Sequence, residues 1–197
     1  MTRDHKQAME TIRFSTWIDA PVERCFLLSL SVDLHVANER AIAGVREGLI
    51  HQGQRVTFKG RHFGVLWRHT SLVDLVRPYS YFREVMIEGP FERFEHEHHF
   101  ATMDDGTRIR DEIRFSTGWG VLGRLATKMI RKHLTEFVFR RNAVIKRVAE
   151  SEEWRRYLED WPRGRAAAAA DAATARRWNR DGLLRGSHGI VAPRGNG

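Results

Sequence analysis

Positions 11–19 alternate, with Ile12, Phe14, Thr16 and Ile18 on one side and Trp17 on the other, which predicts a strand. Ala20-Pro21 ends it, and Pro21 suits the first turn of a short helix over Val22-Glu23-Arg24-Cys25-Phe26-Leu27-Leu28. Ser31-Val32-Asp33 then caps a second short helix reaching about Ala37. From residue 41 onward the period is two, and strands are predicted over 41–47, 54–63, 65–76, 81–88, 91–102 and 107–117. The breaks between them are Gly48, Gln52-Gly53, Gly64, Arg77-Pro78, Gly89-Pro90 and the hairpin signal Asp104-Asp105-Gly106. After Gly118 the period becomes helical. Leu122, Leu125, Ala126, Met129, Ile130, His133, Leu134, Phe137, Val138, Arg141, Val144, Ile145 and Val148 recur at i, i+3, i+4 and i+7, one stripe along a helix of roughly 45 Å.

Strand, two short helices, six strands and one long helix is an α+β order. Consecutive strands with short connections form an antiparallel meander. Its apolar face must be covered, and only the last helix is long enough to do so. The expected architecture is therefore a helix-grip fold: a curved seven-stranded antiparallel sheet wrapped around a long C-terminal helix, with two short helices after strand 1.

Charge changes the picture less than its total suggests. The chain carries +8 at neutral pH, yet residues 161–197 hold seven Arg against two Asp, while residues 1–160 hold 26 Lys and Arg against 23 Asp and Glu. The folded part is nearly balanced. This leaves 10–158 as the folded domain and 159–197 as a disordered basic tail rich in Ala, Arg and Gly, too poor in apolar residues to offset the entropy of ordering. No nucleic-acid-binding motif accompanies the tail, so a nucleic-acid partner is not expected. A weak contact of the basic helix face and tail with anionic membrane surface stays open. The single cysteine, Cys25, excludes a disulfide framework and a thiolate cluster and reads as a buried structural thiol. Without an apolar stretch after the first residues or a run long enough to span a bilayer, a cytoplasmic protein is expected.

Alternation also assigns inner faces. In 91–102 the aromatic face is Phe94, His96, His98 and Phe100; in 107–117 it is Ile109, Asp111, Ile113 and Phe115. Across the Asp-Gly hairpin Asp111 should meet the histidine pair. Val56, Phe58 and His62 face in from the second meander strand, Trp67 and His69 from the third, and Phe82, Glu84 and Met86 from the fourth. Met129 and Phe137 contribute from the helix, and Trp119 is a candidate for the mouth. An aromatic lining with a few polar groups is the make-up of a small-ligand pocket.

Three readings of His96, His98, Asp111 and Glu84 stay open: a self-satisfied polar cluster, recognition of a polar head group, or acid–base catalysis by a histidine tuned by Asp111. His-x-His on one face with Asp111 or His62 also has ligand spacing, but nothing in it demands a metal, and none is expected. No cofactor motif is present; Gly118-Trp119-Gly120 and Gly123 do not match a phosphate-binding loop.

The run Ile18-Asp-Ala-Pro-Val-Glu-Arg-Cys-Phe26, the hairpin Asp105-Gly-Thr-Arg108 and the terminal amphipathic helix resemble the START/SRPBCC (birch-pollen-allergen-like) superfamily. Within it, His62-Phe-Gly64, Gly89-Pro-Phe-Glu-Arg-Phe-Glu-His-Glu-His98 and Leu122-Gly-Arg-Leu125 are similar to an uncharacterised bacterial ligand-binding branch. The resemblance covers about residues 10–158 and implies a ligand cavity, since the superfamily includes lipid carriers, hormone receptors, polyketide cyclases and quinone-binding proteins. The resulting expectation is binding of a small hydrophobic or aromatic ligand between sheet and helix. The alternatives are a polyketide cyclase/dehydrase-type enzyme using a His–carboxylate pair, or a peripheral lipid or quinone carrier. Binding is favoured over catalysis. Ligand identity and oligomeric state are not legible at this level.

Overall fold

The computed structural model describes residues 9–35, 39–117 and 120–158. Strand β1 (Glu10–Ile18) leads into helix α1 (Val22–Leu30) and a single 3-10 turn, Val32–Leu34. Strands β2 (Glu39–Gly44), β3 (Arg55–His62), β4 (Val65–Arg77), β5 (Tyr81–Glu88), β6 (Arg93–Met103) and β7 (Gly106–Ser116) follow. Helix α2 (Gly120–Ala149) and a closing 3-10 turn, Glu152–Arg156, complete the order. The second short helix expected after β1 is thus only one 3-10 turn, because His35 already has extended backbone (φ −65°, ψ 134°). The basic tail and Trp119 lie outside the described residues.

All seven strands form one antiparallel sheet in the order β1-β7-β6-β5-β4-β3-β2. β2 to β7 run as the expected meander, and β1 adds beside β7, Ile12 opposite Ile113 and Phe14 opposite Asp111. Register shifts leave one extra residue in each of three strands: Ile42 in β2, Asp74 in β4 and Ile87 in β5. An extra residue on one strand bends it and increases its twist, so these irregularities curve the half of the sheet distant from β1.

The α2 stripe packs on the concave face. Ile130 and Val138 join Ile12, Ile113 and Phe115 in one buried cluster, with Phe14, Phe91, Phe94, Leu134 and Phe137 against it. α1 closes the other end, where the Phe26 ring meets Phe82 and Phe100 edge-on at centroid distances of 5.8 and 5.2 Å. Cys25 of α1 is buried, its Sγ 3.8 Å from the Ala20 carbonyl, and burial pushes the thiol up to about 11. Two arginines tie helix to helix: Arg24 Nη1 donates to the Ala149 carbonyl at 2.8 Å and Arg141 Nη2 to the Ser29 carbonyl at 2.6 Å. Among the described residues no helix is long and apolar enough to cross a membrane.

Gly44 and Gly48 both adopt left-handed backbone, φ 75° and 72°. A Cβ at Gly44 would lie 2.1 Å from the Arg55 carbonyl oxygen, whereas one at Gly48 meets nothing within 4 Å. Gly48→Ala should therefore cost only the conformational strain, about 1 kcal/mol, and Gly44→Ala distinctly more because β2 and β3 must move apart. Urea unfolding of the two variants checks this; equal losses would mean the β2–β3 approach is looser than described.

Candidate functional site

The floor of the site is set by register. Because β6 and β7 are joined by the short Asp104-Asp105 turn, His98 falls opposite Asp111 and His96 opposite Ile113, while β5 brings Phe82 opposite His98 and Glu84 opposite His96. Asp111 has no solvent exposure. Its Oδ1 accepts a hydrogen bond from His96 Nε2 at 2.9 Å, and His98 Nδ1 lies 2.8 Å from the same oxygen without the alignment of a hydrogen bond. Oδ2 accepts from Asn142 Nδ2 on α2 at 2.7 Å, and the same amide reaches Thr16 Oγ1 at 3.2 Å. Burial by itself pushes the Asp111 carboxyl up, but the hydrogen bond from His96 and the ring of His98 outweigh it and hold Asp111 well below the usual carboxylate range. His98 is driven the other way. Its burial, reinforced by His96, puts it well below the ordinary imidazole value, so it is neutral at neutral pH.

Above this floor a cavity of about 80 Å³ lies between the sheet and α2. Its sheet wall comprises Trp67, His69 and Ser71 of β4, Glu84 and Met86 of β5, Pro90 and Phe91 of the connection, and Phe94 and His96 of β6. The helix wall is Ile130, His133, Leu134, Phe137, Val138 and Arg141. His35, Glu39, His62 and Phe63 complete it. No lining residue comes from β1 or β7. There Ile12, Ile113 and Phe115 pack directly against α2, so the cavity occupies the opposite half of the sheet.

At the far end a hydrogen-bonded chain links three elements. His62 Nε2 is 2.8 Å from Glu39 Oε1, and His62 Nδ1 is 2.8 Å from His133 Nε2 on α2. With Glu39 accepting and His62 neutral, His62 Nε2 donates to Glu39 and His133 donates to His62 Nδ1. His69 Nδ1 stands 3.7 Å from the same Glu39 oxygen. Phe63 covers this end, its ring 4.4 Å from that of His133. It holds a φ of 53° next to Gly64 at 78°, the two positive values a tight hairpin turn requires. A bulky residue in that region carries strain. Here it aims the ring over the cavity.

Of the residues expected to line a pocket, His62, Trp67, His69, Glu84, Met86, Phe94, His96 and Phe137 do so. Phe58 faces inward but is capped by His35, stacked on it at 4.3 Å. Phe82 lies beneath His98 at 4.2 Å. His98, Asp111, Ile113 and Phe115 are inward but sit under the packed half of α2 rather than in the cavity. Met129 corrects the helix reading: it is 56% exposed. At 100° per residue it stands well off the Ile130–Leu134–Phe137–Arg141 line, so its apolar character misassigned its face. Sequence reasoning passed over His35, Glu39, His133, Arg141 and Asn142 as functional groups. His133 and Arg141 left a signal, two polar residues on an otherwise apolar stripe; Glu39 and His35, beyond the alternating runs, left none.

His96, His98 and Asp111 also bring one ligand atom each within 4.8 Å of one another, a spacing that suits a divalent cation. Those atoms already face each other, and the charge of Arg141 also disfavours protonation of His98. The arrangement supports a second chemistry without a metal. Asp111 holds His96 with its Nε2–H inward, and Nδ1 is left as the ring nitrogen for a molecule in the cavity.

Enclosure holds His35, His69, His98 and His133 below the ordinary imidazole value. Their folded pKa values are depressed, so the unfolded chain takes up more protons once the pH drops below about 6.5. Stability is therefore complete above that pH and is lost below it, by about 1.4 kcal/mol per pH unit for each proton withheld. A melting temperature that falls between pH 7.5 and pH 5, with a shallower fall in His98→Gln, is the expected result. A flat profile would contradict the environment described.

No protein-family model matches the chain, and no curated protein matches it in sequence. Solved structures match it in fold. The di-domain ARO/CYC protein BexL from the BE-7585A biosynthetic pathway superposes with a TM-score of 0.62 at 16% identity, over 74% of this chain and 51% of that one. Zhui aromatase/cyclase from Streptomyces sp. R1128 gives 0.54 at 20% identity, over 75% of this chain and 95% of that one. A START superfamily protein from Mycobacterium smegmatis gives 0.55 at 11% identity, over 71% and 97%. At such identities the likeness is one of fold, and the fold of this chain is a helix grip similar to that of these START superfamily and aromatase/cyclase structures.

Proposed function

We propose that this protein binds a small, compact hydrophobic or aromatic molecule in the cavity between its sheet and α2, with His96 at the polar side of the site. The observation that carries the reading is the enclosed lining itself. Trp67, Phe91, Phe94, Phe137, Ile130, Leu134 and Val138 surround it, and a few polar groups converge from different elements. Apolar walls of this kind favour transfer of an apolar body out of water, and the scattered polar groups orient it. Volume restricts the choice. About 80 Å³ is well below the several hundred Å³ of a typical drug-sized site, so the ligand is about one ring in bulk or inserts only one end.

One observation favours a second reading, acid–base chemistry on the bound molecule. The His96–Asp111 hydrogen bond fixes which nitrogen of His96 carries the proton, and Nδ1 then takes a proton from a ligand group within reach. The relatives that carry the words aromatase/cyclase in their names lend this reading context through fold alone.

Native mass spectrometry of freshly purified protein, followed by denaturing extraction, tests binding first. A stoichiometric apolar or aromatic adduct is expected, and Leu134→Trp, which fills the cavity from the helix side, should abolish it while the fold persists. Retention of the same adduct by Leu134→Trp would sink the proposal. Catalysis separates from binding through His96→Ala: turnover lost with ligand retained supports it, and unchanged turnover of a found substrate removes His96 from the chemistry.

A further inference from the structure

Arg141 is a buried cation with no ion-pair partner among the described residues. It is 4% exposed and stands on the face of α2 that lines the cavity. Its one hydrogen bond among the described residues runs to the backbone carbonyl of Ser29, and no ion pair among them includes it. The acids nearby are engaged elsewhere: Asp111 by His96 and Asn142, Glu39 by His62. A guanidinium does not shed its proton, and out of water it needs an anion or a full set of acceptors. His35 and His98, which feel its charge, are held neutral by burial and by Arg141 itself or His96, so neither competes with it for an anion.

We propose that Arg141 anchors the carboxylate of the ligand, and that the molecule taken up is a compact hydrophobic monocarboxylic acid; this rests on the cavity being a binding site. The planar fork of a guanidinium matches a carboxylate in two parallel hydrogen bonds. From Arg141 the compact apolar body lies beside Phe137 and Leu134, the next cavity-lining residues along α2. Glu39 and Glu84 on the strand side repel a second negative charge, which selects against dicarboxylates.

The test is isothermal titration of the full chain at pH 7.5 with two acids, phenylacetate and octanoate, each against its own primary amide. An aryl acid and an alkyl acid carry the same anchor on different bodies, so the tighter pair names the source. The acid of that pair should bind at least about tenfold tighter than its amide, the range of a charge-assisted pair. Arg141→Gln should remove the discrimination between acid and amide, and Arg141→Lys should keep part of it. Equal affinity of acid and amide for the natural protein overturns the anchor while leaving the binding site intact, and it decides the matter even if Arg141→Gln does not fold. An acid preference that survives in a folded Arg141→Gln also overturns it and makes Arg141 a tie to α1 alone. Binding of none of the four probes to the natural protein removes the cavity as a site for compact apolar molecules, and the anchor with it.

Discussion

Asp111 is a carboxylate held ionised with no access to water, and that is tolerable only because several elements supply its partners. His96 and His98 come from β6, Asn142 from α2, and Thr16 of β1 shares the Asn142 amide. A buried charge left without such partners costs several kcal/mol, so sheet register and helix position are coupled: α2 must present Asn142 where β7 presents Asp111. The same constraint orients His96, since one nitrogen is committed to Asp111 and the other is not. The polar chemistry of the site thus begins with a structural need.

With α2 tied down at the β1–β7 side, its apolar stripe fills that half of the concave face. Ile12, Ile113 and Phe115 pack against one side of Ile130 and Val138, whose other side lines the cavity. The extra residues in β2, β4 and β5 lie in the opposite half, where bulges increase bend and twist, and the cavity is on that side. Its closing groups are polar and paired across elements, Glu39 to His62 to His133, so the helix is fastened on both sides of an apolar gap. Arg141, also on the cavity face of α2, is a buried charge that no acid among the described residues pairs with.

The site was half legible in the residues. Alternation placed His96, His98 and Asp111 on inner faces, and the short hairpin made their meeting predictable, because a two-residue turn leaves little freedom of register. The strand walls followed for the same reason, with His62, Trp67, His69, Glu84, Met86 and Phe94 all facing in. What failed was depth. Phe58, Phe82, Ile113 and Phe115 also face in, yet lie under His35, His98 and α2, and no periodicity in one strand reports what covers it. Met129 shows the converse, an apolar residue beside the stripe that nothing buries.

Period and punctuation along the chain were enough for the order of elements and the grip of sheet on helix, since backbone pairing and apolar burial depend on neighbours a few residues apart. Arg141 and Asn142 were visible only as polar residues on or beside an apolar stripe, a pattern that also describes a solvated edge. Their meaning depends on groups over a hundred positions away in one case and some thirty in the other, Ser29 and Asp111. Such pairings arise when the curvature of the whole sheet and the seat of α2 bring distant segments within hydrogen-bond reach. The sequence determined which faces turn inward; only the tertiary structure decided which of them meet α2 and which line the cavity, because that division is set by packing between layers.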